Sequence, residues 1–163
     1  MKTLLLMRHA KSSWKDQTLK DRDRPLSKRG VKNAVYMGSI FLEYELIPQL
    51  VLSSSVKRAR QTAELVLEAC RYPGTVIYLD TLFLAEAEVI LDALRLLPDD
   101  MERVLVIGHN PGLVSLLQML TQQIIPLPTA GVAYISLSID TWRSLSFEST
   151  AELVEVWQPK DTK

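Results

Sequence analysis

A rhythm constrains this chain more than any single residue does: short apolar runs of strand length recur, and segments with helical spacing fill the gaps between them. Thr3 to Met7 is a continuous apolar run, and Gln49–Leu52, Thr75–Leu79 and Arg103–Ile107 are others. Runs that do not alternate with polar residues suit strands buried on both faces. Between them, Ser27 is a good N-cap for a helix beginning near Lys28, with Val31, Ala34, Val35, Ile40 and Leu42 as its stripe and Pro48 as its stop. Lys57 to Cys70, Glu86 to Leu97 and Leu113 to Leu120 read as further helices. Strand and helix alternate at least three times, which predicts an α/β fold: one three-layer α/β/α domain with a largely parallel sheet and helices on both faces. Two late strands are expected near Val132–Ile139 and Ser144–Trp157, so the domain takes in residues 1–158 and leaves 159–163 as a flexible tail.

The remaining sequence features narrow the class of function. The length, 163 residues, suits one domain. Nineteen Lys+Arg balance nineteen Asp+Glu, which gives no general reason to expect nucleic acid or an anionic membrane as a partner. The basic residues nevertheless gather between Arg8 and Arg60. Cys70 is the one cysteine and sits in a helix-like apolar context, so we expect a buried structural thiol and no disulfide. No apolar stretch approaches the roughly 20 residues of a membrane span, and the opening run is too short for a secretory leader. A cytoplasmic location is the expectation.

In parallel sheets, ligands bind outside the carboxyl ends of the strands. Arg8 and His9 directly follow the first apolar run, Arg58 lies at the opening of the helix after the second, and His109 directly follows Arg103–Ile107. The chain has only two histidines, and both fall at such ends. A lone histidine is more often structural; a pair in matching positions, with arginines beside it, is not. Guanidinium groups offer fixed forks for a phosphate dianion. Nearby positive charge disfavours imidazolium, and the neutral imidazole is the nucleophile that could carry a phosphoryl group covalently. Asn110 and Pro111 suit the start of a helix, whose free N–H groups would add an anion site beside His109.

The residues at these ends also resemble known motifs. Leu6-Met7-Arg8-His9-Ala10 is similar to the signature of the histidine phosphatase superfamily, which includes the phosphoglycerate mutases. Ser54-Ser55-Val56-Lys57-Arg58-Ala59-Arg60-Gln61-Thr62-Ala63 resembles that superfamily's second arginine motif, and Gly108-His109-Asn110-Pro111 its second histidine motif. Arg8 through Trp14, Asp23-Arg24-Pro25-Leu26-Ser27 and Arg29-Gly30 resemble the short SixA-type phosphohistidine phosphatases. The resemblance implies a phosphoglycerate mutase-like fold, with His9 as the phosphorylated nucleophile and Arg8, Arg58 and His109 as the phosphate pocket. Arg24 is a further candidate phosphate or substrate contact, and reads equally well as a solvated loop charge.

Ala10 stands where glycine is common in the superfamily, and Ser55 where proline is. Many relatives carry a glutamate general acid after the third strand. Here Leu79-Asp80-Thr81-Leu82 has no convincing counterpart. Asp80, Glu86 and Glu88 are candidates for that role, and each is more simply a solvated or capping carboxylate. No Gly-rich phosphate loop, dinucleotide fingerprint or metal-ligand spacing is visible, so no cofactor and no metal are expected. The implied activity is hydrolysis of phosphohistidine on a partner protein, such as a phosphotransfer domain. A small-molecule phosphatase with the same machinery, or a catalytically weak module that binds phosphorylated ligands, are the alternatives. Trp14 and the polar loop 10–25 have no assigned role.

Overall fold

The computed structural model describes residues 1–160. The chain runs through β1 (Lys2–Arg8), α1 (Lys28–Glu43), β2 (Leu50–Ser54), α2 (Lys57–Ala69), β3 (Val76–Leu79), α3 (Ala87–Arg95), β4 (Arg103–Gly108), α4 (Gly112–Thr121), β5 (Val132–Leu137) and β6 (Ala151–Trp157). The strands form one six-stranded sheet in the order β3-β2-β4-β1-β5-β6. The first four in that order are mutually parallel, while β5 and β6 are antiparallel additions.

The continuous apolar runs are continuous because both faces of the sheet are covered. In β1, Leu4 and Leu6 point to one face and Leu5 and Met7 to the other, and all four are wholly buried. Leu4 and Leu6 join Val104, Val106, Leu113 and Leu116 in a core under α3 and α4. Leu5 and Met7 join Leu105, Ile107, Met37, Phe41 and Val66 in a second core under α1 and α2. The result is the expected three-layer α/β/α arrangement. Cys70 is buried, as expected. No helix among the described residues is long and apolar enough to cross a membrane.

One late boundary differs from expectation. The last strand begins at Ala151, not near Ser144. Trp142–Ser144 is instead a short 3-10 turn, because the Trp142 ring is fully buried and its Nε1–H donates to the Met101 carbonyl at 2.6 Å. The loop 10–25 is ordered: Ser12 bridges Leu26, Ser13 N–H donates to the Pro25 carbonyl at 2.8 Å, and Asp21–Asp23 form a 3-10 turn. Of the expected tail, Pro159 and Lys160 lie outside regular structure, and 161–163 lie outside the described residues.

Candidate active site

The sheet register brings the strand ends level. Arg8 pairs with Gly108 across β1 and β4, and Ser53 pairs with Ile107 across β2 and β4. His9 N–H extends this ladder by donating to the Gly108 carbonyl at 3.0 Å. His9 and His109 therefore leave the same sheet edge side by side, with ring centroids 5.0 Å apart. Arg58, in the first turn of α2, approaches from the neighbouring strand β2. Arg8, His9, Arg24, Arg58 and His109 all line one cavity of about 290 Å³. The five residues expected at the site from sequence are thus brought together.

Each histidine has a defined orientation. The His9 ring sits with Nδ1 2.7 Å from the Ala10 carbonyl, which can only accept, so Nδ1 carries the proton and Nε2 keeps its lone pair. Burial, reinforced by the charges of Arg58, Arg8 and Arg24 and opposed by the Ala10 carbonyl, pushes the His9 pKa down to about 4. Burial, followed by His9 and Arg58, pushes His109 down to about 3. Both rings are neutral at pH 7. His109 Nε2 lies 2.8 Å from the Ser54 hydroxyl. With that hydroxyl donating to Nε2, the proton sits on Nδ1, which has no protein partner.

Donors without partners are the dominant feature of the pocket. Arg8 Nε, Arg24 Nη1, Arg58 Nε and His109 Nδ1 are buried and unpaired, against one unpaired acceptor, Asn110 Oδ1. A buried donor left unpaired costs about 1–3 kcal/mol. A tetrahedral oxyanion supplies acceptors for all of them at once. Arg8 is also desolvated, which lowers its pKa and leaves it eager for a negative partner.

Three residues build this arrangement although their roles were not read from the sequence. The Thr62 hydroxyl accepts from Ala10 N–H at 3.0 Å and donates to the Arg58 carbonyl at 2.7 Å, so it stitches the His9 loop to α2. Ser54 fixes His109. Asp21 binds both Arg24 and Arg58, with Oδ1 3.2 Å from Arg24 Nε and Oδ2 3.1 Å from Arg58 Nη2. Thr62 and Ser54 lie inside the second arginine motif, each four residues from Arg58, so the motif itself was their signal. Asp21 had only its spacing from Arg24, three residues along a polar loop.

Arg24 is not a solvated loop charge. It is only 7% exposed, and its guanidinium stacks 3.4 Å from the Trp14 ring centroid. Trp14 itself is 69% exposed at the cavity mouth. Contrary to expectation, Asn110 does not cap the helix that follows it. Helix α4 begins at Gly112, and Asn110 Nδ2 donates to the Leu127 carbonyl at 2.9 Å instead of capping it. A Cβ on Gly112 would lie 1.9 Å from the Ala85 carbonyl, so this helix end closes on backbone. None of the three candidate general acids lines the cavity. Asp80 accepts from Ser55, Glu86 sits at the start of α3, and Glu88 is in its first turn. Leu84 occupies that side of the pocket.

The family model for the histidine phosphatase superfamily (branch 1) matches residues 4–82. An uncharacterized chloroplastic protein of Arabidopsis thaliana is 30% identical over 148 residues, spanning 85% of this chain and 68% of that protein. The chain belongs to the histidine phosphatase superfamily. Among solved members, a candidate SixA phosphohistidine phosphatase from Nakamurella multipartitia is 28% identical, with a TM-score of 0.82 over 97% of this chain and 96% of that one. A mycobacterial glucosyl-3-phosphoglycerate phosphatase shares the fold at 15% identity, with a TM-score of 0.70 over 98% and 99% of the two chains. Arg8, His9 and Arg58 lie within the matched residues, and they converge with His109 on the donor-rich cavity.

Proposed function

We propose that this superfamily member is a phosphatase that hydrolyses protein phosphohistidine through a covalent intermediate on His9. One observation carries it: a neutral histidine with its Nε2 lone pair free stands in a cavity whose buried donors lack partners. In the first step the substrate ring arrives protonated on its other nitrogen, Nε2 attacks phosphorus, the bond from phosphorus to the leaving nitrogen breaks, and that nitrogen takes the electron pair, so that neutral imidazole departs. Arg8, Arg58 and His109 Nδ1–H stabilise the equatorial oxygens as charge builds on them. Arg24 is a further contact to the phosphoryl group or the substrate. In the second step water displaces His9 from phosphorus, giving inorganic phosphate and regenerating the neutral ring.

The missing acid supports the choice of substrate. Expelling an alkoxide demands a positioned proton donor. Imidazole leaves more readily, because its conjugate acid has a pKa near 6.5. No carboxylate among the described residues lines the cavity, so a P–N bond suits the site better than an alkyl ester. The likeness to the Nakamurella protein, at 28% identity over nearly the whole chain, points the same way. The partner is then a phosphohistidine-bearing protein such as a phosphotransfer domain, met in the cytoplasm during signal transduction. Guanidinium groups neutralise the phosphoryl charge, so turnover should survive a strong chelator.

The test is a panel of phosphohistidine proteins, an aryl phosphate and alkyl phosphates compared by kcat/KM, with and without chelator. We expect phosphohistidine first, aryl phosphate next and alkyl esters last, together with an acid-labile, base-stable phosphate trapped on His9. Alkyl esters leading the series would favour a small-molecule phosphatase. Binding without turnover of any of them would leave a phospho-ligand-binding module.

A further inference from the structure

Among the described residues Asp21 is the one carboxylate bonded to the arginines of the site, and two opposite roles are open to it. It could occupy the place of the phosphate and compete with it. Alternatively, it could hold the guanidinium groups from behind. The placement decides between them. Arg24 and Arg58 line the cavity, and Asp21 does not. The Asp21 side chain is 51% exposed, whereas those of Arg24 and Arg58 are 9% and 5% exposed, so the carboxylate lies on the outer side of both. Arg58 also grips the backbone of the same residue, its Nη1 donating to the Asp21 carbonyl at 2.8 Å. That carbonyl accepts from Arg24 N–H at 3.3 Å as well, which ties the grip to the 3-10 turn itself. Both hydrogen bonds of the Arg58 guanidinium thus go to Asp21, and Nε is left as its unpaired donor. On Arg24 the carboxylate takes Nε, Trp14 covers the flat face, and Nη1 is left unpaired.

Resting on the phosphatase function proposed above, we infer that Asp21 is a positioning residue: it holds Arg24 and Arg58 by their outer edges so that Arg24 Nη1 and Arg58 Nε remain for the phosphoryl oxygens. A planar guanidinium recognises an oxyanion only in the right plane, and a side chain with this much rotamer freedom needs a second partner to stay there. Asp21 supplies that partner to two arginines at once.

The two roles predict opposite signs. If Asp21 competed with phosphate, Asp21→Ala would remove a negative charge beside the pocket and tighten anion binding. If it positions, the same change weakens binding. We expect Asp21→Ala to raise the calorimetric Kd for inorganic phosphate about tenfold and to lower kcat/KM on an aryl phosphate roughly thirtyfold, within the range set by losing a preorganised donor. Asp21→Asn keeps one acceptor oxygen and should fall between the two proteins; it also carries the test if the alanine variant does not fold. The effect should collapse in an Arg58→Ala background, where Asp21→Ala costs less than about a third of its fold-change in the parent. A general structural role would instead add in full. Tighter phosphate binding in Asp21→Ala, or full additivity with Arg58→Ala, overturns the assignment. Because phosphate binding is read without turnover, a chain that binds phosphate but hydrolyses nothing would refute the phosphatase function while leaving Asp21 decided by calorimetry.

Discussion

The pocket has two halves that are built differently. Arg8, His9 and His109 extend from the ends of β1 and β4, where a parallel ladder fixes their backbones. Trp14, Asp21 and Arg24 come from the loop 10–27, which has one isolated bridge and no ladder of its own. The loop is held by side chains and single amides: Ser27 N–H donates to the Lys11 carbonyl at 2.9 Å, and Leu26 N–H to Gln61 Oε1 at 2.8 Å. His9, the proposed nucleophile, sits on the half whose geometry the sheet guarantees. The loop half contributes charge and orientation, and depends on α2 for its place. Arg58 belongs to both, since it rises from α2 and is gripped by the loop.

If the division is real, damage to the sheet half should cost most. His9→Ala should lower turnover by about four orders of magnitude or more, as loss of a nucleophile does, and abolish phosphate labelling. Residual activity above one per cent would sink the assignment of His9. Arg58→Ala should cost on the order of 3 kcal/mol of transition-state stabilisation, read from kcat/KM.

Protonating the two buried rings should come next. The folded pKa values of His9 and His109, about 4 and about 3, lie below the unfolded value of 6.5. Between those limits the unfolded chain binds protons that the folded chain does not, so stability falls as pH drops from about 6.5 toward 3 and is insensitive to these groups above 6.5. Thermal melts at pH 7 and pH 5 should show the loss, at about 1.4 kcal/mol per pH unit for each ring across the window. An equal or higher melting temperature at pH 5 would contradict the buried, neutral state.

The joint between the halves can be tested with Gly30→Ala. A Cβ there would lie 2.1 Å from the Lys11 carbonyl, which is backbone and cannot swing aside. Displacing the segment that follows His9 should cost about 1–3 kcal/mol of stability and lower kcat more than it raises KM. Loss of stability with unchanged kcat would show the two halves to be independent. The smallest effects belong to Asp80→Asn, Glu86→Gln and Glu88→Gln, each below about tenfold on phosphohistidine, or 1.4 kcal/mol. A thousandfold loss at one of them would identify a general acid acting from outside the cavity.

The difference between the halves also explains what could be read from the sequence. The sheet half was legible because an uninterrupted apolar run announces a strand buried on both faces, and a histidine just past such a run has a predictable place. Arg8, His9, Arg58 and His109 followed from that. The loop half was not legible, because its order comes from contacts between distant segments. Arg24 is seated by Trp14 and Asp21, Leu26 by Gln61, and Ala10 by Thr62, and no local periodicity encodes such pairs. Local propensity misled at Asn110, a residue suited to capping, whose amide is claimed by the Leu127 carbonyl. It misled again at Ser144, where burial of Trp142 delays the last strand.

The position of β1 in the sheet bears on how quickly the protein can be made. Its neighbours are β4 and β5, so that Thr3 faces Arg103 on one side and Ser136 on the other. Strand β1 precedes both partners, so one edge stays open until β4 at Arg103–Gly108 has been made and the other until β5 at Val132–Leu137. Helices α1 and α2 can form meanwhile, but the apolar faces that cover Leu5 and Met7 have only β2 and β3 to dock on until β4 joins β1 to them. Contacts this distant in sequence slow folding, because the loop must close before its contacts are gained. During that interval β1 is an apolar strand with two open edges, the kind of segment that nascent chains shield from one another with chaperones.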